Sequence, residues 1–386
     1  MRDHLQSQSV YVHVPFCAHK CDYCAFYSAS PQAGQMDRYV QALILEMDRR
    51  HDGPAPATLY FGGGTPSLLT VHQWRRLLQA MERLGLSGAA EWTVECNPAT
   101  LTEEKARLLK DYGVNRLSLG VQSLDEALLQ KLGRPHDRRQ ALQAFDRARK
   151  AGFDNVNLDL MFAIPGQTLE VWRATLTEAL SLGSEHLSTY EVTYEEDTPL
   201  YEQLRAGQFA VEEDLAYAMY DELRERASLT GLCQYEVSNF ARDDGSGRTF
   251  LPNRACRHNV NYWRGGAYVG LGPSAASFSG ATRSRNWANT TLYCEMLEAG
   301  RLPVESREEL PPLRRAGEIA AFGLRMNAGW PFPDFQRVTG FSLLPEWSAE
   351  MAQLTAAGWG ELDEQGFRLN QQGLLFADYA AELFLR

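Results

Sequence analysis

The run Val10-Tyr-Val-His-Val14 alternates as a half-buried strand does and passes through Pro15-Phe16 straight into Cys17-Ala-His-Lys-Cys21-Asp-Tyr-Cys24-Ala-Phe-Tyr27. Three thiols at spacings of four and three thus follow the C-terminal end of a first strand. Thiolates are soft donors suited to zinc or to iron–sulfur clusters. A cubane cluster has four irons, so three thiolates leave one iron open to a small molecule, whereas a structural zinc site is closed by a fourth ligand. No fourth cysteine lies nearby, and His13 or His19 could complete a zinc site. The same spacing suits an apolar helix stripe, but Pro15, Lys20 and Asp22 favour an exposed loop.

Outward from this loop, short apolar runs alternate with helical patterns up to about residue 200. Strands are expected at 10–14, 58–61, 91–95, 116–121, 156–163 and 186–192. Several end in Gly, Pro or Asn, as at Gly62-Gly-Gly, Asn97-Pro98 and Pro165-Gly166. Thr70 and Thr102 are start signals for the helices that follow them. Each chemically distinctive stretch follows a strand C-terminus, which favours an α/β fold of partial (β/α)6 TIM-like barrel type over a flat doubly wound sheet. Beyond residue 200 the rhythm fades. Isolated strands are expected at 234–240 and 267–271, around a Gly-, Asp- and Arg-rich surface insertion at 242–254. From Pro311, three helices and a hairpin around Asp363–Gly366 read as a small winged-helix-like module without a basic face. The expected units are residues 1–200, an α+β extension over 201–305, and a C-terminal module over 306–386.

Composition narrows the function classes. The 386 residues correspond to two to three units at about 150 residues each. With 44% apolar and 23% charged residues the chain is globular, neither disordered nor fibrous. Lys plus Arg total 38 against 49 for Asp plus Glu, and the resulting net charge of −11 argues against nucleic acid as a partner. Seven cysteines, an odd number with three clustered, do not make a disulfide framework. The first residues lack an apolar signal-peptide core and no apolar run reaches the length of a membrane span, so a reducing, cytoplasmic setting is expected.

The cysteine loop resembles the radical S-adenosylmethionine superfamily, whose signature is Cys-x3-Cys-x2-Cys with an aromatic residue before the last cysteine. The resemblance implies a radical SAM barrel in which Cys17, Cys21 and Cys24 hold a [4Fe–4S] cluster whose open iron takes the amino and carboxylate groups of S-adenosylmethionine. Gly62-Gly63-Gly64-Thr65-Pro66 matches the superfamily's glycine motif, and glycines there let backbone approach an ammonium group closely. Together with Glu95, Gln122, Arg134 and Asp159, it is similar to the anaerobic coproporphyrinogen III dehydrogenase family and its relatives. That likeness runs from Tyr11 through the C-terminal module. It implies that Tyr11, Gly63 and Glu95 contact the cluster-bound S-adenosylmethionine. Tyr23, Gly64, Thr65, Gln122, Arg134 and Asp159 would contact a second molecule of it.

Two features separate the branches. The dehydrogenases carry a fourth cysteine two positions after the third, where this chain has Phe26. The stretch Cys256-Arg-His258-Asn259-Val-Asn-Tyr262-Trp263 resembles the HNxxYW motif of the haem-chaperone branch. A neutral imidazole is a common axial ligand of haem, and Tyr262 with Trp263 offers flat apolar surface to a porphyrin. Ser274-Ala-Ala-Ser277 stands where relatives show Gly-Ala-His-Ser, which leaves Cys256 as the substitute for a second ligand. Arg257 and Arg264 are candidates for the propionates. Cys96, Cys233 and Cys294 read as packing residues. The resemblance thus implies a haem chaperone with a [4Fe–4S] cluster, S-adenosylmethionine and haem, a reductant for the cluster, a haem-acceptor protein such as a respiratory one, and transient contact with a membrane protein. The competing readings are coproporphyrinogen III dehydrogenation, which the missing cysteine disfavours, and radical methyl transfer. No catalytic residue is assigned.

Overall fold

The structure, a computed structural model, describes residues 9–50, 54–245 and 251–386. The leader reading, and the part of the surface insertion at 246–250, lie outside the described residues.

Six strands run parallel in chain order: β1 (Ser9–Val14), β2 (Thr58–Gly63), β3 (Glu91–Cys96), β4 (Arg116–Gln122), β5 (Val156–Phe162) and β6 (His186–Glu191). Their Val-, Leu- and Phe-rich runs are buried on both faces, as helices covering a parallel sheet require. The crossover helices are α1 (Gln35–Arg50), α2 (Val71–Arg83), α3 (Glu103–Asp111), α4 (Glu126–Lys131), α5 (Arg138–Lys150) and α6 (Leu169–Ser181). Side-chain caps start most of them. Thr70 and Asp137 form capping boxes with Gln73 and Gln140, and Thr102 and Thr168 accept amides of the first turn. The result is the expected open, partial barrel of radical SAM type.

The barrel sheet is longer than the six expected strands. After α7 (Pro199–Arg205) and α8 (Glu213–Leu229), β7 (Leu232–Glu236) and β8 (Asn239–Arg242) form an antiparallel hairpin beyond β6. The single strand read at 234–240 is therefore corrected to two strands turning at Val237 and Ser238, residues that give no strong turn signal. After α9 (Arg257–Trp263), β9 (Tyr268–Leu271) is not isolated: it pairs in parallel with β1, from Ser9 opposite Tyr268 onward. Strands β10 (Ala276–Ser279) and β11 (Thr282–Asn286), then, past α10 (Thr290–Glu298), β12 (Val304–Glu309) continue that edge antiparallel. The sheet of twelve strands runs from β12 to β7 among the described residues.

The C-terminal part has its own core. It comprises α11 (Pro312–Leu324), β13 (Trp330–Pro331), α12 (Phe332–Thr339), α13 (Leu343–Glu346), α14 (Ser348–Ala356), the hairpin β14 (Gly360–Leu362) and β15 (Gly366–Leu369), then α15 (Gln371–Leu374) and α16 (Ala377–Phe384). Trp330, Phe335, Trp347 and Phe384 pack together, each fully buried. Such a side chain contributes about 1.5–3 kcal/mol by burial. Gly323 is required here, since a Cβ would lie about 2 Å from the Trp330 indole, whose Nε1 donates to Ala320 O at 3.1 Å. Among the described residues no helix is long and apolar enough to cross a membrane.

Candidate functional site

Local hydrogen bonds set the shape of the cysteine loop. Ala29 N donates to Pro15 O (2.9 Å) and Cys17 N to Ala29 O (3.1 Å), which closes the loop at its base. Asp22 N donates to Leu132 O and Leu200 N to Asp22 O, which fastens its middle to the end of α4 and the first turn of α7. Cys21 is buried, Cys17 and Cys24 are half-buried, and all three are free thiols. The glycine turn is tied to the same loop by Gly64 N to Val14 O (2.8 Å) and Thr65 N to Phe16 O (2.7 Å). A Cβ on Gly64 would lie 2.7 Å from Phe16 O, and Gly63, at φ +101°, has the His13 ring 2.6 Å from where its Cβ would be. Only glycine permits this approach.

Two of the thiols have polar neighbours. Thr65 Oγ1 is 3.5 Å from Cys17 Sγ, and Arg134 Nη1 is 3.3 Å from Cys21 Sγ. The Arg134 guanidinium donates to the Cys21 sulfur, and such a contact holds the side chain in place at the loop. The zinc alternative loses its fourth ligand. The Nε2 of His13 donates to Tyr27 O (2.8 Å), its Nδ1 pairs with Tyr11 OH (3.2 Å), and His19 is exposed. Among the described residues no three Cys, His, Asp or Glu side chains converge on one metal-ion position. Three soft donors on a pinned loop, beside a cleft of ≈ 510 Å³ bordered by Tyr11, Lys20, Phe26 and Arg285, fit a three-thiolate cluster with room for a further ligand.

Of the remaining polar candidates, Glu95 and Gln122 lie near the C-terminal ends of β3 and β4, Asp159 sits mid-strand on β5, and Arg134 follows α4. Glu95 accepts from Tyr60 OH at 2.8 Å and lies against Gly62, whose Cβ would be 2.9 Å from the carboxylate. Burial pushes Glu95 up to about 7, against the opposing effect of the Tyr60 hydroxyl and the Gly63 amide. Asp159 accepts from Ser118 (3.1 Å) and Asn157 (2.8 Å), and burial raises it too. Gln122 sits at φ +65° on a bulge between β4 and β5, next to Arg134. Arg134 also donates to Gly120 O and reaches Tyr23 OH (3.5 Å), while its buried Nε has no partner.

The HNxxYW stretch lies at the other end of the strands, on α9. His258 is 1% exposed and held by the first residues of β1 and β2. Thr58 Oγ1 gives its proton to Ser9 Oγ (2.8 Å) and therefore accepts from His258 Nδ1 (2.8 Å). That leaves Nε2 as the unprotonated nitrogen, which accepts from Tyr262 OH at 3.1 Å. Burial, then the nearby Arg116 charge, lowers His258 to about 3, so the ring is neutral, and it stacks on Tyr60 at 5.0 Å. Glu91, the first residue of β3, accepts the amides of Arg257 and His258, both at 3.0 Å, at the N-terminus of the motif helix. Asn259 and Trp263 are half-buried, Trp263 facing Tyr235 with Arg325 over its ring at 5.4 Å.

Two readings around the motif are corrected. Cys256 is fully buried with its thiol 3.6 Å from Glu91, and burial pushes it up to about 12, so it presents no second ligand. Arg264 is spent on the C-terminal module, donating to Gly329 O (2.6 Å) and lying over the Trp330 ring, rather than facing a propionate. Thr58 and Glu91 escaped the sequence reading. The signal was the shared face of Glu91, Thr93 and Glu95 on β3, two residues apart, which marks a polar barrel interior.

Residues 11–179 match the radical SAM superfamily and residues 310–376 the HemN C-terminal domain. The chain is 33% identical over 384 residues to the heme chaperone HemW of Bacillus subtilis, covering 98% of this chain and 99% of that one. It is 34% identical over 401 residues to radical S-adenosyl methionine domain-containing protein 1, mitochondrial, of Danio rerio, covering 97% and 86%. The structure is similar to that of coproporphyrinogen III oxidase (HemN) from Escherichia coli, with a TM-score of 0.83 at 21% identity, covering 98% of this chain and 90% of that one. At that identity the likeness shows the fold.

Proposed function

The chain belongs to the radical S-adenosylmethionine superfamily and, within it, to the HemW family, and from that footing we propose that it is a haem chaperone, which binds haem and passes it to an acceptor haem protein. The observation that carries this reading is the state of His258. A metal-ligating histidine is oriented by a hydrogen bond from its other nitrogen and must be neutral. Thr58 supplies the first condition and burial the second, with Nε2 as the free donor atom. Among the described residues the Tyr262 hydroxyl is the hydrogen-bond partner of that atom.

In this reading Cys17, Cys21 and Cys24 hold a [4Fe–4S] cluster. When bound, the cluster supplies an electron-transfer centre and one open iron. Tyr11, Gly63 and Glu95 orient the S-adenosylmethionine at that iron, with the Glu95 carboxylate accepting from the N–H bonds of its amino group. Tyr23, Gly64, Thr65, Gln122, Arg134 and Asp159 form the second site. Free thiols throughout the described chain are consistent with a reducing, cytoplasmic setting. Phe26, 70% exposed, occupies the position of the dehydrogenases' additional cysteine, which argues against decarboxylation of coproporphyrinogen III.

A haemin titration tests the proposal. Saturable one-to-one binding with a Soret shift is expected, lost in His258→Ala. Retention of that shift in His258→Ala would exclude the ligand. Turnover of coproporphyrinogen III to protoporphyrinogen by the reduced, cluster-loaded protein would replace the chaperone with an enzyme.

A further inference from the structure

The HNxxYW stretch contributes Tyr262 and Trp263 to a groove of ≈ 250 Å³ that the C-terminal module completes. It lies between α9 with the loop behind it, β9 to β11, and α11. Its walls are aromatic. Tyr262 and Tyr268 meet edge to face at 4.3 Å, Phe278 stands 6.2 Å beyond, and Phe322 on α11 is 56% exposed at the rim. A single exposed phenylalanine is ordinary, but one that borders a continuous aromatic band offers a planar ligand a surface. The floor is closed by contact between loop and helix, since a Cβ on Gly265 would lie 2.7 Å from Ile319.

Charge selects the ligand class. In a chain of net charge −11, three arginines and one glutamate line this groove. Arg283 is held by Glu318 and Glu308, and Arg325 by Glu236. Arg315 has no ion pair or side-chain hydrogen bond among the described residues. Its guanidinium lies 5.6 Å over the Phe278 ring, and its buried Nε has no partner. A buried donor left without a partner beside an apolar wall is suited to an anion. The two properties together describe a flat apolar body carrying a carboxylate, and haem with its propionates is such a molecule.

Size supplies the last constraint. Pockets for ligands of this class start at about 300 Å³, so the groove must widen before haem seats. Tyr262 is the wall that can do this, because the same side chain covers His258 Nε2. Rotation of Tyr262 out of the groove both enlarges it and uncovers the iron-binding nitrogen.

We propose that haem docks in this groove with a propionate on Arg315, and that Tyr262 is the gate that exchanges its hydrogen bond to His258 for the iron. The proposal rests on the haem-chaperone reading and adds its docking surface and its release device. Return of the Tyr262 hydroxyl to Nε2 competes with iron and favours handover.

The test is a set of haemin titrations on the full chain, followed at the Soret band. Tyr262→Phe keeps the ring but cannot cover Nε2, and its affinity should rise at least threefold with the wild-type Soret maximum. Arg315→Glu should bind at least tenfold more weakly with the same maximum, and Arg315→Gln should fall between. Haemin dimethyl ester, which lacks free carboxylates, should bind the wild type weakly and lose nothing further in Arg315→Glu. Wild-type affinity in both Arg315 variants, or weaker binding in Tyr262→Phe, would overturn the proposal. A wild-type protein that binds no haemin would instead remove the function on which it rests.

Discussion

The Glu91 carboxylate accepts the main-chain amide of His258 at 3.0 Å across 167 residues of sequence. It takes the Arg257 amide at the same distance and lies near the buried Arg116 guanidinium, so one charge both caps the motif helix and balances a cation. Glu91→Ala removes two hydrogen bonds to a charged group and leaves Arg116 less compensated. Each such bond is worth about 1.5–3 kcal/mol, so a loss of about 3–6 kcal/mol is expected in urea unfolding. Glu91→Gln should lose less, and haemin affinity should fall with stability in both. An unchanged unfolding midpoint in Glu91→Ala would contradict this role.

Glu95 is raised from 4.5 to about 7 by burial, with Asp159 adding repulsion and Tyr60, the Gly63 amide and Arg116 opposing. The folded state therefore binds its proton more tightly than the unfolded chain. The resulting stabilisation is fully present below pH 4.5 and is lost as pH rises through about 7. Accepting from the amino N–H bonds favours the ionised, acceptor-only carboxylate, which has the reverse dependence. Affinity of the cluster-loaded protein for S-adenosylmethionine should weaken by up to about tenfold per pH unit below 7. Isothermal titration at pH 6 and 7.5 measures it. Glu95→Gln should bind weakly at both, and a wild-type affinity flat over this range would remove Glu95 from the amino-group site.

The glycine turn offers a steric test. A Cβ on Gly64 would meet Phe16 O at 2.7 Å and Val14 O at 2.8 Å, both backbone atoms that cannot swing aside. Gly64→Ala should push the turn away from the cysteine loop at a cost of about 1–3 kcal/mol. The expected result is several-fold lower iron and sulfide content after anaerobic reconstitution, with far-UV circular dichroism unchanged. Each of Cys17→Ser, Cys21→Ser and Cys24→Ser should lose the cluster absorbance altogether. Full cluster loading in any of the three would refute the donor set.

What could be read from the sequence was what is local in it. The six parallel strands carry continuous apolar runs with turn residues after them, and the three cysteines fall within eight positions, so both were visible. Strand β9 was visible but its pairing with β1, more than 250 residues away, was not, and β10 to β12 went unread, β11 and β12 being short and polar. The site followed the same rule. Arg264, which sequence leaves free for a propionate, is held by Gly329 and Trp330, and Arg315, distant in sequence from the motif, is the groove arginine without an ion pair among the described residues.

Thr58 gives the most discriminating test of the haem site, because it touches only the far side of the imidazole. Its hydroxyl, committed to Ser9, fixes the proton on His258 Nδ1 and leaves Nε2 for iron. Thr58→Val keeps the shape but removes the acceptor, which leaves Nδ1–H unsatisfied and no longer selects the tautomer. Loss of such an orienting partner typically costs 10- to 100-fold in metal affinity. Haemin affinity should therefore fall by about tenfold in Thr58→Val, with a displaced Soret maximum in the ferric form, and Thr58→Ser should recover most of both. A purely structural threonine would lower the melting temperature of Thr58→Val while leaving affinity and spectrum as in the wild type, and that result would separate His258 from the iron.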